Sequence, residues 1–449
     1  MDYKAFARDI ILSARKKGIE QTEILLIREE SKEISIRNGQ MDSINENISL
    51  SSRIKLIKEK KNYLISFSNF DKAKIEKAIE DSLKYLKLQK ADDAISLPPE
   101  KELGSVSGEL FIEDKEKIPS TDTIKKKLIK MEKNAFEYDK KIKYSEGAFY
   151  NFSRMNIHIA NSLGFYGEFS KTAHLFYISV VAEEKGEKRT GSFWSENIFF
   201  DALENEKILG VKAGERALRK LGSKKPKTGE YPVIFDNITA SSIVEILSEL
   251  VNGENAYKRN SVFSDKLGEI VGSSIITIMD NPLIKKLQGS RPFDGEGVYS
   301  REKFIFNKGK LASYIVNNYY SKKLKHRITS NSSFETETIN GISPSNFYLI
   351  PGEIDEGDLI GSVKKGIYIT GLFSVDSINT ATGDFSWGAE GFMIERGKLS
   401  YPISEFTIAG NIIDLLKNTI EICDNIDFNR GEIASPSILV NKGITIGGK

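Results

Sequence analysis

From residue 142 to residue 200 apolar and polar side chains alternate, the pattern of a strand with one buried face. Met155, Ile157 and Ile159 interleave with Asn156 and His158, and Asn161-Ser-Leu-Gly164 supplies turn residues. A return strand carries His174, Phe176, Ile178 and Val180 on one side. A helix would need its apolar residues three or four apart, so this stretch predicts a β-meander. Antiparallel sheet must then organise whatever packs around it. Similar segments recur at Glu23-Ile-Leu-Leu-Ile27, Glu33-Ile-Ser-Ile36 and residues 48–57, with Asn38-Gly39 as a hairpin turn between them.

Helical spacing appears between these segments. Tyr3, Phe6, Ile10 and Ala14 form one stripe that ends at Gly18, and Asp71 can cap a second made of Ile75, Ala78, Ile79, Leu83 and Leu86. Ser120-Thr121 precede Ile124, Leu128, Met131 and Ala135; a further stripe is Ile208, Val211, Leu218 and Leu221. Ser241 to Leu250 predicts a helix buried through Ile243, Ile246, Leu247 and Leu250, and another begins near Asn411. Pro98-Pro99 marks a joint, and Lys224-Lys-Pro-Lys-Thr-Gly229 reads as a polar linker. The expected architecture is α+β in two domains, mainly antiparallel β-sheets with flanking helices. Residues 1–223 form the N-terminal domain, with a joint near 95–120, and residues 224–449 form a β-rich C-terminal domain. Phe304-Ile-Phe-Asn-Lys-Gly-Lys-Leu311 resembles Phe392-Met-Ile-Glu-Arg-Gly-Lys-Leu399, through shared hairpin chemistry or an internal duplication.

Composition excludes several classes. Lys+Arg 65 against Asp+Glu 63 leaves a net charge of +2, which argues against direct nucleic-acid binding. One cysteine rules out an internal disulfide framework and fits a reducing compartment. No run of about 18 apolar residues predicts a membrane span, and the charged first eighteen residues do not resemble a signal peptide. The expected location is the cytoplasm.

The chemistry-bearing residues are sparse. His158, His174 and His326 are too far apart for any two to share a helical turn, so no zinc-binding pair is expected. Cys423 stands among Glu421, Asp424 and Asp427, which disfavour a thiolate, and reads as a packing residue. Ser386 in Gly383-Asp-Phe-Ser-Trp-Gly388 is not a nucleophile elbow and is better explained by a hairpin turn. Lys125-Lys126-Lys127 is a solvated helix face. Glu245 and Glu249, four apart on one helix, could do acid–base work or form its wet face.

Four segments together resemble the TldD/PmbA family, also called the modulator-of-gyrase family. They are Pro226-Lys-Thr-Gly-Glu-Tyr-Pro-Val233, Pro292-Phe-Asp-Gly-Glu-Gly-Val298, Gly383-Asp-Phe-Ser-Trp-Gly-Ala-Glu-Gly-Phe-Met-Ile-Glu-Arg-Gly397 and Tyr401-Pro-Ile-Ser-Glu-Phe-Thr-Ile-Ala-Gly-Asn411. The resemblance implies a cytoplasmic metalloprotease system. Its TldD branch carries His-Glu-x-x-x-His on the helix after the first segment, plus a C-terminal Cys ligand. Here that helix is Ala240-Ser-Ser-Ile-Val-Glu-Ile-Leu-Ser-Glu-Leu250, without histidine, and Cys423 falls somewhat before the ligand position. The chain therefore resembles the TldE (PmbA) branch, which lacks the metal; no metal and no other cofactor are expected. The resemblance implies a homodimer, or a heterodimer with a TldD-like zinc-bearing chain, acting on unfolded peptides.

No catalytic residue is assigned. Asp294, Glu296, Asp384 and Glu405 are the polar members of the matching segments and are candidates for lining a substrate cleft. Near Arg53 the family's N-terminal glycines are missing, so a different shape is open there and no site is carried over. Two alternatives stand beside the accessory-subunit reading. One is a hydrolase using Glu245, Glu249 or the carboxylates of Phe293-Asp-Gly-Glu296; the other is a gyrase-modulating binding protein.

Overall fold

The computed structural model describes residues 2–448. Helix α1 (Tyr3–Lys16) starts at Asp2, whose carboxylate accepts the Ala5 N–H. Three strands follow: β1 (Gln21–Arg37), β2 (Gln40–Lys58) and β3 (Lys61–Phe67). The β1–β2 turn is Asn38-Gly39, both with positive φ, as a two-residue hairpin of matching twist requires. Helix α2 (Lys72–Leu88) is capped by Asp71, and α3 (Thr121–Tyr138) by Ser120. The predicted meander is β4 (Ile142–Asn161), β5 (Tyr166–Glu184) and β6 (Glu187–Asn197), followed by α4 (Glu206–Leu218). The six strands form one antiparallel sheet in the order β3-β2-β1-β4-β5-β6.

Strand alternation decides what each face of that sheet meets. Ile24, Leu26, Ile54 and Leu56 pack under α1 and α2, while Ile34, Ile36, Tyr150, Phe152, Phe176 and Ile178 pack under α3 and α4. Leu25, Ile27, Ile157 and Ile159 face the other way, onto Phe293 of the C-terminal half. Helix α4 departs from expectation. Ile208 of the predicted stripe is 40% exposed, whereas Leu209, Gly210, Ala213, Gly214 and Ala217 are buried. A Cβ at Gly210 would lie 2.2 Å from the Met131 carbonyl, so small residues let α4 approach α3 and rotate the larger side chains outward.

In the C-terminal half the strands are β7 (Gly229–Glu230), β8 (Val233–Phe235), β9 (Ile278–Asp280), β10 (Lys303–Asn307), β11 (Lys310–Leu311), β12 (Phe347–Leu349) and β13 (Lys365–Phe373). They continue with β14 (Asp384–Glu395), β15 (Lys398–Asn411), β16 (Thr419–Ile422), β17 (Ile433–Ala434), β18 (Ile438–Val440) and β19 (Ile444–Gly447). One sheet runs β11-β10-β9-β12-β17 and another β16-β18-β8-β13-β14-β15-β19-β7. The β12–β17 and β8–β13 pairings are parallel and the rest antiparallel. Both similar hairpins close on positive-φ pairs, Lys308-Gly309 and Arg396-Gly397. Ser386 lies within β14 and faces solvent, so strand geometry rather than a turn accounts for it. Helix α5 (Asn237–Leu250) packs between the two sheets and buries Ile243, Ile246, Leu247 and Leu250 in their shared core, as its spacing predicts. Among the described residues no helix is long and apolar enough to cross a membrane.

Candidate functional site: a carboxylate-lined groove along one helix

With one stripe of α5 committed to the core, its other side turns Asn237, Ser241, Ser242, Glu245 and Glu249 outward. Asp236 fixes the start of the helix by accepting the Thr239 N–H at 2.8 Å. The opposing wall is the segment from Asp427 to Ile433, with Trp194 of β6 at one end. Two recesses of about 300 Å³ and 490 Å³ share Glu245, Glu432 and Ile433 and so form one continuous groove.

The polar groups divide into those already engaged and those left free. Arg430 binds Glu204 Oε2 at 2.7 Å and Asp427 Oδ2 at 3.2 Å, and it stacks over Phe193. Ser241 Oγ donates to the Asn237 carbonyl at 2.7 Å and accepts the Ser435 N–H at 2.9 Å, which ties helix to wall and leaves no base to activate the hydroxyl. Glu245 is different. Burial pushes its carboxyl above the ordinary range, and the neighbouring Glu249 and Glu432 push the same way. Burial raises Glu432 as well, against the pull of Lys171 and Arg291. Carboxyls raised in this way hold a proton more readily than exposed carboxylates do.

The donor set does not suit zinc. Among the described residues no three His, Cys, Asp or Glu side chains converge as metal ligands would. His174 is buried on the Tyr150 hydroxyl, His158 stacks on Tyr3 beside Glu168, and His326 bonds the Arg327 carbonyl. Cys423 packs with Ile234, Leu359, Val363, Tyr368 and Leu439. Burial, with Glu356 and Asp424 adding to it, pushes that thiol up to about 12, so it serves as a packing residue.

Family models for the PmbA/TldA metallopeptidase central and C-terminal domains match residues 112–221 and 228–448. A metalloprotease PmbA homolog of Buchnera aphidicola (subsp. Acyrthosiphon pisum, strain APS) is 30% identical over 412 residues, covering 91% of this chain and 89% of that protein. The chain belongs to the PmbA/TldD metallopeptidase family. Metalloprotease PmbA of Escherichia coli O157:H7 is 28% identical over 69% of this chain and 66% of its own length. Among solved structures of the family, a candidate modulator of DNA gyrase from Bacteroides thetaiotaomicron VPI-5482 superposes with a TM-score of 0.90 at 26% identity, over 100% of both chains. The N-terminal half around Arg53 therefore keeps the family shape without the missing glycines. TldE from Thermococcus kodakarensis shares the fold at a TM-score of 0.84 and 23% identity, over 99% of this chain and 100% of that one.

The four family-segment carboxylates do not form a common cleft. Asp294 and Glu296 are fully buried within the chain. Asp294 accepts N–H groups from Glu296, Val298 and Ser332 at 2.9–3.0 Å. Glu296 binds Lys55 Nζ at 3.1 Å and the Asn318 N–H at 2.9 Å. Beside them Arg53, also fully buried, binds Glu23 at 3.2 Å and the carbonyls of Gly295, Ser333, Glu335 and Thr338. These charges fasten the N-terminal sheet to the C-terminal half. Asp384 is exposed and holds a turn through Asn411 and Thr382 at 2.8 and 2.7 Å. Glu405 sits exposed at a positive-φ irregularity of β15, near Arg189 and Lys225. Sequence reasoning identified Glu245 and Glu249 but missed Glu432, Arg430 and Trp194. Only the charge run from Asp424 to Glu432 hinted at a polar wall, and nothing local indicated that it faces α5.

Proposed function

We propose that this chain is the metal-free, TldE-like member of a PmbA/TldD-type peptidase system, pairing with a second chain and helping to present unfolded peptides. One observation carries the reading: α5 lines the groove with Asn237, Ile238, serines and glutamates, and no histidine or cysteine is among the groove's lining residues. The family membership and the TldE likeness in fold support it. The zinc-bearing partner would supply the metal chemistry. This chain's own residues would bind and orient, with the acidic groove receiving polar or cationic parts of a peptide and sheet edges pairing with its backbone, independently of sequence. Peptides without stable structure fit that mode because their backbone groups are free to pair. The proposed setting is the cytoplasm, with a homodimer or a TldD-like heterodimer as the working unit.

Metal analysis of the purified full chain after equilibrium dialysis against zinc tests the reading. Far less than one zinc per chain is expected, and one tightly held ion per chain would overturn it. The raised carboxyls of Glu245 and Glu432 favour a second reading, a carboxylate-based hydrolase. Peptide cleavage by the zinc-free chain, lost in Glu245→Gln, would select it.

A further inference from the structure

Helix α1 buries one stripe against the N-terminal sheet and turns another outward, on which Lys4, Arg8, Ile11, Leu12 and Arg15 recur at helical spacing. These residues form one wall of a recess of about 680 Å³, a size within the range of small-molecule sites. The facing wall is the end of β4 and the turn into β5, from Ala160 to Tyr166. The recess reaches down to buried residues: Ile19, Thr22 and Asn161 are 3%, 2% and 3% exposed. Asn161 Oδ1 accepts the Leu163 and Phe165 N–H groups at 3.0 and 3.2 Å, which fixes the orientation of the amide. Its Nδ2 is left without a hydrogen-bond partner among the described residues.

The charges around the recess divide in the same way. Its two carboxylates are engaged: Asp2 caps α1 through the Ala5 N–H, and Glu20 accepts the Glu59 N–H at 3.2 Å. Nearby, Lys17 pairs with Glu80 and Lys72 with Asp9. Lys4, Arg8 and Arg15 make no ion pair among the described residues; Lys4 lies over the Tyr166 ring at 5.1 Å, and both arginines are exposed. The free groups are all donors and three of them are cations, so their complement is an anionic acceptor. A compact ion would use little of the recess. Lys4 and Arg15 stand ~16 Å apart along the helix axis. Ile11 and Leu12, the latter 48% exposed, lie between Arg8 and Arg15. We propose that this recess binds a free amphiphilic carboxylate, its head held by the arginines and the Asn161 amide and its apolar body against Ile11 and Leu12. The concave shape and the exposed acids Asp2 and Glu20 disfavour a flat anionic bilayer. The recess shares no lining residue with the α5 groove, so binding here stands whether or not that groove presents peptides.

Calorimetric titration of the full chain with dodecanoate, kept below its micellar concentration, tests the assignment. Saturable binding of one molecule per chain is expected, weakening as KCl is raised. Arg8→Glu with Arg15→Glu, both at exposed positions, should keep the thermal transition and weaken binding roughly tenfold or more. Asn161→Asp keeps the oxygen that closes the turn, replaces the donor with a second oxygen, and should weaken binding as well. Dodecylammonium, with the same chain and the opposite charge, should bind wild type roughly tenfold or more weakly than dodecanoate does. Absence of saturable binding would overturn the proposal, and so would an unchanged affinity in either folded variant or dodecylammonium bound as tightly as dodecanoate. Phosphatidylglycerol vesicles should not carry the chain down on sedimentation; co-sedimentation that is lost in the arginine pair would assign these cations to a bilayer and count against it. Zinc content and peptide cleavage enter none of these readouts.

Discussion

A single imidazole links side-chain burial to solution behaviour. His174 is 2% exposed with Nδ1 2.7 Å from the Tyr150 hydroxyl, and burial pushes its pKa down to about 4 despite nearby Asp114. In the unfolded chain a histidine titrates near 6.5. Between those values the unfolded chain binds a proton that the folded chain refuses, so this contribution is present above pH ~6.5 and lost as pH falls toward ~4. Urea denaturation at stepped pH should show wild type losing about 3 kcal/mol more than His174→Gln across that window. Parallel curves would contradict the buried neutral imidazole. Residue-scale features such as this are hardly legible in sequence. His174 stands at an apolar position of an alternating strand, which indicates burial, but its partner Tyr150 comes from the neighbouring strand β4. The same limit applies to Arg53 and Lys55. They alternate with Ile54 and Leu56 as a solvent face would, yet the C-terminal half covers that face.

At the level of elements the sequence is far more readable. The turn at Asn38-Gly39, the caps Asp71 and Ser120, and the stripes of α1, α2, α3 and α5 follow from local chemistry. Helix α4 does not, because its packing face is made of glycine and alanine, which an apolar-period reading undervalues. That packing makes a prediction with an unusual sign. Alanine is normally the better helix former by about 1 kcal/mol. At Gly210, however, the added Cβ meets the Met131 carbonyl 2.2 Å away, on the backbone of α3. Gly210→Ala should therefore lower the urea midpoint, and an unchanged or raised midpoint would mean that α3 and α4 can separate without cost.

For the whole molecule, the decisive contacts join positions hundreds of residues apart. Arg53 reaches carbonyls at 295, 333, 335 and 338 while neutralising Glu23. Removing one partner of a buried ion pair typically costs about 3–5 kcal/mol, because the other charge is left uncompensated. Arg53→Met should lower stability by that order in urea denaturation and resolve the single calorimetric transition expected of wild type into two, one for each half. A small loss with one intact transition would show that apolar packing at Phe293 alone couples the halves. The groove is assembled in the same long-range way, from α5 and a wall some 190 residues later, which is why only its helix side could be read from sequence. In the proposed reading that groove binds and orients, and a zinc-bearing partner supplies the cleavage. Digestion of an unfolded peptide, with the chain alone and then mixed with a zinc-bearing TldD-like chain, tests this claim most directly. No cleavage is expected from the chain alone and cleavage is expected in the mixture; zinc-dependent cleavage by this chain on its own would contradict the accessory role.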